Sequence, residues 1–234
     1  MPDVNTPIAL NGWAQPHDGL RALLPTDAWH VPYSDDATIE ALWHKLAGQN
    51  PGLVVGWSLG GQLAARAVMD GVLRPRKLVL IAAPWCYVAT PDYPHGMGPS
   101  TYELFLDNYA TQPDRTARRF AGLIAHGDSE AARIQAEQAS HLSTMTDNAR
   151  WLPWLKELGQ WQPDAQAAKL LPPTLIIHGH NDGVVPFAQS DEWMRHLPHA
   201  RLLALPDVGH APHLHNEARI QRAIADFTRE AAHG

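Results

Sequence analysis

The chain carries one cysteine, Cys86, in 234 residues, which excludes an intramolecular disulfide framework and fits a reducing compartment. Basic residues are also scarce. Eighteen Lys and Arg stand against 24 Asp and Glu, and the resulting formal charge of −6 argues against a nucleic-acid partner. Long apolar runs are missing: the longest, residues 78–85, falls far short of the about 20 apolar residues of a membrane span. Residues 1–6 are polar and the apolar triplet Ile8-Ala9-Leu10 is too short for a secretory leader, so a cytoplasmic location without membrane attachment is expected. Neither a repeat nor a low-complexity segment is visible.

What remains is ordinary globular material, 45% hydrophobic and 18% charged, in a chain long enough for one domain with an insertion. Short apolar segments at 7–10, 28–31, 53–56, 77–82, 174–178 and 200–205 read as strands. They alternate with amphipathic helix patterns at 19–24, 37–47, 61–70, 187–197 and 217–231, the signature of a mostly parallel sheet of about six strands covered on both faces. The fold class is therefore α/β. The alternation breaks after residue 83. Pro84, Pro91, Pro94 and Pro99 open a stretch that turns helical at 102–109, 114–125, 129–145 and 151–158. The expected organisation is a core of 1–83 and 173–234 with a helical lid inserted at 84–172.

Gly56-Trp57-Ser58-Leu59-Gly60 lies between the apolar run 53–55 and the helical pattern from residue 61. Strand, sharp turn and helix in that order form a nucleophile elbow, in which flanking glycines let the neighbouring backbones close on an exposed serine. A serine hydroxyl needs a base and an orienting carboxylate, which follow in the order acid then histidine. Asp182 sits in a turn after the apolar run 175–177, where it can orient the base or simply cap the turn before Val184. His210 follows the last strand in Gly209-His210-Ala211-Pro212, the place of the general base. Asp207 is a rival acid, though it precedes His210 by only three residues. His178 and His180 are expected to shape the acid loop.

The spacing of His210, His213 and His215 invites a metal reading. No cysteine or carboxylate cluster completes such a site, and neither metal nor cofactor is expected. Cys86 reads as a small buried packing residue. The oxyanion donors are expected from the backbone of Leu59 and from the loop Asn11-Gly12-Trp13, with Trp13 either walling the pocket or packing in the core.

Taken together, Gly12-Trp13, Gly56-Trp57-Ser58-Leu59-Gly60-Gly61, the loop from Gly179 through Asp182-Gly183 to Val185-Pro186, and His210-Ala211-Pro212 resemble the α/β-hydrolase superfamily. Within it they resemble the pimeloyl-acyl-carrier-protein methyl ester esterases of biotin synthesis, the BioH family. Pro84-x-Cys86 and Arg115-Thr116 with Arg119-Phe120 add to the likeness. The resemblance implies a carboxylesterase with Ser58 as nucleophile, Asp182 as orienter and His210 as base. Trp13 and Leu59 would line the substrate, and Phe120, Leu123 and Ile124 would meet the acyl chain.

Arg115, Arg118 and Arg119 share one helix face at i, i+3 and i+4, with Arg133 on the next helix. That patch reads either as a solvated face or as a docking surface for an acidic acyl-carrier protein. A monomer is expected. Two stretches depart from the family pattern. The oxyanion loop has Asn11 where histidine is usual, and Pro32-Tyr33-Ser34-Asp35-Asp36 replaces a glycine-containing loop. The hairpin that usually precedes the Gly-Trp strand also has no counterpart, so an N-terminally shortened sheet is expected.

Overall fold

The computed structural model describes residues 6–36, 38–197 and 199–230. The ends of the helices expected at 37–47 and 217–231, Ala37 and Ala231, lie outside the described residues. Among the described residues six strands make one sheet: β1 (Ile8–Leu10), β2 (Trp29–His30), β3 (Val54–Trp57), β4 (Leu78–Ile81), β5 (Thr174–Gly179) and β6 (Ala200–Leu205). Every pairing is parallel, in the order β2-β1-β3-β4-β5-β6. The central strands are buried throughout, which is why they appear as continuous Val, Leu and Ile runs rather than alternating ones.

Helices α1 (Ile39–Leu46), α2 (Leu59–Met69), α8 (Ala188–His196) and α10 (Glu217–Arg229) connect or follow strands, with the short α9 (Pro212–His215) leading into α10. Thr38 and Asn216 cap α1 and α10 by accepting the amides of Ala41 and Arg219. Helix α2 lies almost wholly buried, and its Gly60, Gly61, Ala64, Ala65 and Ala67 let it press close to the sheet. From β1 the chain first moves outward to β2 and then crosses back to β3. The crevice beyond the C-terminal ends of β1 and β3 is therefore the topological switch point, where open α/β sheets bind ligands.

Five helices run between β4 and β5: α3 (Pro99–Thr111), α4 (Pro113–Ala125), α5 (Ala131–Ser140), α6 (Leu142–Met145) and α7 (Asn148–Gln160). Pro99 and Pro113 each occupy a first helical position, where the missing N–H costs nothing. Helix α7 is fastened to the core by Arg66–Glu157 at 2.9 Å, Arg150–Asp35 at 3.2 Å and the Trp13 indole donating to the Trp151 carbonyl at 2.9 Å. No helix among the described residues is long and apolar enough to cross a membrane.

Two expected helices differ. Residues 19–24 hold only a 3-10 turn at Arg21–Leu23, because Pro16 and Pro25 confine the segment and Pro25 offers no N–H to extend it. The helix expected at 129–145 breaks at His141 into α5 and α6. There Tyr109 donates its hydroxyl to the Met145 carbonyl at 2.7 Å, a tertiary contact that fixes α6 against α3.

Candidate active site

Ser58 sits between β3 and α2 with φ 54° and ψ −122°, a backbone conformation that L-residues adopt at a cost of order 1–3 kcal/mol. The strain turns the chain sharply enough for strand and helix to fold onto each other. A Cβ on Gly56 would lie 2.5 Å from the Gly60 carbonyl oxygen, and one on Gly60 only 2.1 Å from the Leu10 carbonyl oxygen. The elbow is thus wedged against the end of β1, whose loop carries Asn11-Gly12-Trp13. Leu59 is the first residue of α2, so helix geometry leaves its amide without an intrahelical acceptor beside a positive dipole end.

The other two groups come from the ends of β5 and β6. His210 Nε2 lies 3.0 Å from Ser58 Oγ, and His210 Nδ1 lies 2.8 Å from Asp182 Oδ2. All three side chains are buried. Asp182 Oδ1 accepts the amides of Val184 and Val185, each at 2.8 Å, while Oδ2 also lies 3.2 Å from His178 Nε2. One carboxylate oxygen thus caps the turn, and the other faces the imidazole. Burial opposes ionisation of this carboxyl. Electrostatic attraction to His210, the hydrogen bonds from His178 and His210 and the attraction to His178 outweigh that and hold it well below the usual carboxylate range. An ionised Asp182 requires the His210 proton on Nδ1, which leaves Nε2 free to accept from the serine hydroxyl.

Asp207, the rival acid, is exposed in a left-handed turn at φ 57°, and Asp182 holds the place beside Nδ1. The three clustered histidines diverge. His213 packs on the Trp57 ring at 4.4 Å between centroids, whereas His215 Nδ1 pairs with Asp128 Oδ1 at 2.7 Å. No group of three metal-ligating side chains occurs among the described residues.

Burial first, and electrostatic repulsion of a protonated ring by its neighbour His210 second, push His213 down from an ordinary 6.5 to about 3. A folded state that resists a proton loses stability wherever the unfolded chain takes one up. This contribution is complete above pH 6.5 and declines as pH falls toward 3. His213→Phe is expected to flatten the decline in urea-unfolding free energy between pH 7 and 5, at most about 1.4 kcal/mol per pH unit. Equal slopes for both proteins would count against this.

Trp13 is 2% exposed, edge-on to Tyr109 at 4.7 Å and to Phe120 at 5.1 Å, with its indole N–H committed to Trp151. It packs in the core, in the loop that follows the end of β1 against which Gly60 is pressed. Phe120 and Leu123 line a groove of about 210 Å³ between α3 and α4, together with Phe105 and Arg119. Ile124 does not reach it: the side chain is fully buried, and its carbonyl accepts the His210 amide at 3.3 Å. Arg115, Arg118 and Arg119 are exposed, and among the described residues no carboxylate lies within ion-pair distance of them. Arg133 points elsewhere, binding Glu130 at 3.4 Å and the Leu214 and His215 carbonyls.

Some supports escape a reading of the sequence. Trp57 Nε1 donates to the His210 carbonyl at 2.8 Å, tying the elbow to the base loop across 153 residues. The two stretches that depart from the family pattern meet each other. The Asn11 side chain accepts the Gly12 amide at 2.9 Å and donates to the Pro16 carbonyl, and the Tyr33 hydroxyl bridges the Asn11 and Gly12 carbonyls at 3.0 and 3.1 Å. The loop after β1 is braced locally by these contacts.

A serine, imidazole and carboxylate in hydrogen-bonded series at the switch point of a parallel sheet can carry out acyl transfer. The chain belongs to the alpha/beta hydrolase family, whose sequence model matches residues 12–222. It is similar to the pimeloyl-[acyl-carrier protein] methyl ester esterase of Nitrosomonas europaea, with 36% identity over 76% of this chain and 71% of that protein. The esterase of the same name from Aromatoleum aromaticum is 31% identical over 90% of this chain and 88% of its own. Among solved structures, a hydrolase from Oleispira antarctica superposes with a TM-score of 0.78 at 16% identity, covering 97% of this chain and 92% of its own. A bromoperoxidase from Bacillus anthracis gives 0.77 at 20% identity with the same coverage, and these two likenesses speak for the fold alone.

Proposed function

We propose that this protein is a carboxylesterase that removes the methyl group from a pimeloyl ester carried on acyl-carrier protein, a step of biotin synthesis. The observation that carries the chemistry is the unbroken series Ser58 Oγ, His210 Nε2, His210 Nδ1 and Asp182 Oδ2, with contacts of 3.0 and 2.8 Å. The methyl-ester substrate rests on the two similar esterases and their coverage of this chain.

Ser58 Oγ attacks the ester carbonyl carbon as His210 Nε2 takes its proton, and Asp182 stabilises the imidazolium. The carbonyl π electrons move onto oxygen, and the Leu59 and Trp13 amides donate hydrogen bonds to this oxyanion, each contributing about 3 kcal/mol. Collapse breaks the bond to the methoxy group, which leaves as methanol with the proton from Nε2. Water then attacks the acyl-serine and gives its proton to Nε2. The second collapse releases the carboxylic acid and returns the proton to Ser58.

Residues 84–172 act as a lid over this centre. Its α3–α4 groove, with Phe120 and Leu123, receives the acyl chain, and Arg115, Arg118 and Arg119, which have no ion-pair partner among the described residues, dock the acidic carrier; Arg133, already engaged, contributes least.

Methanol release from methyl pimeloyl-carrier protein should exceed that from a free methyl ester at equal concentration. Arg115→Glu with Arg118→Glu should lower kcat/KM on the carrier-linked ester alone, by about 10-fold for two lost charge contacts. Equal losses on both substrates would remove the docking role. Free esters turned over as well as carrier-linked ones would make the protein a general short-chain esterase.

A further inference from the structure

Asp128 belongs to the turn after α4, yet its carboxylate is fully buried and faces the base loop. Oδ2 accepts the Gly209 amide at 2.8 Å, and Oδ1 accepts the Glu130 amide and His215 Nδ1, each at 2.7 Å. Gly209 immediately precedes His210, and His215 closes α9 just after it. One carboxylate therefore grips the segment carrying the imidazole from both sides. The last turn of α4 and the residues after it make three further ties. Ile124 accepts the His210 amide at 3.3 Å, Ser129 donates to the Asp207 carbonyl at 3.0 Å, and Asn181 of the acid loop donates to the Gly127 carbonyl at 2.8 Å. The fit is tight, since a Cβ on Gly209 would stand 2.9 Å from the His126 carbonyl oxygen.

We propose that Asp128 is a positioning residue for His210, which couples the placement of the helical lid to the reactivity of the base. This rests on the assignment of His210 as base. The imidazole has to keep contacts of 2.8 and 3.0 Å in opposite directions, so its backbone must be fixed on two fronts. Trp57 holds the His210 carbonyl from the elbow, and Asp128 holds the preceding amide from the lid. Without the carboxylate, the Gly209 amide loses its acceptor and the loop is free to carry the ring away from Ser58. Asp128 is buried and does not line the α3–α4 groove, so its loss acts on turnover and not on binding.

The test is steady-state hydrolysis of a p-nitrophenyl ester by Asp128→Asn, Asp128→Ala and His215→Ala, with fluorophosphonate labelling of the serine as a second readout and circular dichroism as a check of folding. Asp128→Asn keeps the shape but turns an N–H2 toward one of the three donors. It should lower kcat about 10-fold, with KM unchanged within about twofold and labelling slowed in step. A folded Asp128→Asn protein with wild-type kcat overturns the proposal, and so does a loss confined to KM, which would assign Asp128 to substrate entry. Should neither Asp128 variant fold, the half-exposed His215→Ala decides, with a kcat reduced about threefold at constant KM expected and an unchanged kcat contradictory. His210→Ala runs alongside. Full turnover there would refute the base assignment itself, a result separate from any behaviour of Asp128.

Discussion

Ser58→Ala is expected to lower kcat for ester hydrolysis by about 10⁶-fold, the loss typical of removing the nucleophile from a hydrogen-bonded serine, histidine and carboxylate series. Protein stability should barely change. The hydroxyl contacts the His210 ring, and alanine keeps the Cβ in the same strained turn at φ 54°. Ser58→Gly separates the two roles of the residue. It should be equally inactive yet more stable by about 1 kcal/mol, because glycine adopts that backbone conformation freely. Thermal melts and ester assays on the pair check both halves. An alanine variant retaining even a hundredth of wild-type turnover would place the nucleophile elsewhere.

Asp182→Asn should cost about 10⁴-fold in kcat with KM little altered, through the wrong tautomer of His210 and not through misfolding. Oδ1 accepts two backbone amides, from Val184 and Val185, so the asparagine oxygen is drawn to that position. The N–H2 group then replaces Oδ2 and faces both His210 Nδ1 and His178 Nε2. His210 can accept from that amide only with its own proton on Nε2, where it blocks transfer from Ser58. The substitution also removes a pH effect. The native carboxyl is held well below its usual range, so its stabilising contribution is present above that range and fades as pH falls below it. Acid unfolding of the Asn variant should lack that component. A variant with wild-type kcat would mean that Asp182 merely caps its turn.

The elements that carry these groups were legible because local chemistry decides them. Val54-Val55 leading into Gly56-Trp57-Ser58-Leu59-Gly60 states strand, turn and helix within seven residues, and the contacts that demand Gly56 and Gly60 arise from that turn. The positions of Asp182 and His210 followed from apolar runs ending in turn residues. Legibility failed wherever a distant partner decides the outcome. Asp128 meets Gly209 across 81 residues and His215 across 87, and nothing near Asp128 signals either. The break between α5 and α6 depends on Tyr109, and the carbonyl that Ile124 offers to His210 has no local signal at all. Prolines misled in one place, where Pro16 and Pro25 reduced an apolar segment to a single 3-10 turn.

Mass spectrometry of the fluorophosphonate-treated protein tests the catalytic assignment most directly. A single adduct on the peptide containing Ser58 is expected, absent in Ser58→Ala and formed far more slowly in His210→Ala, with loss of activity tracking labelling. An adduct on another residue, or full hydrolysis after Ser58 is completely modified, would contradict it.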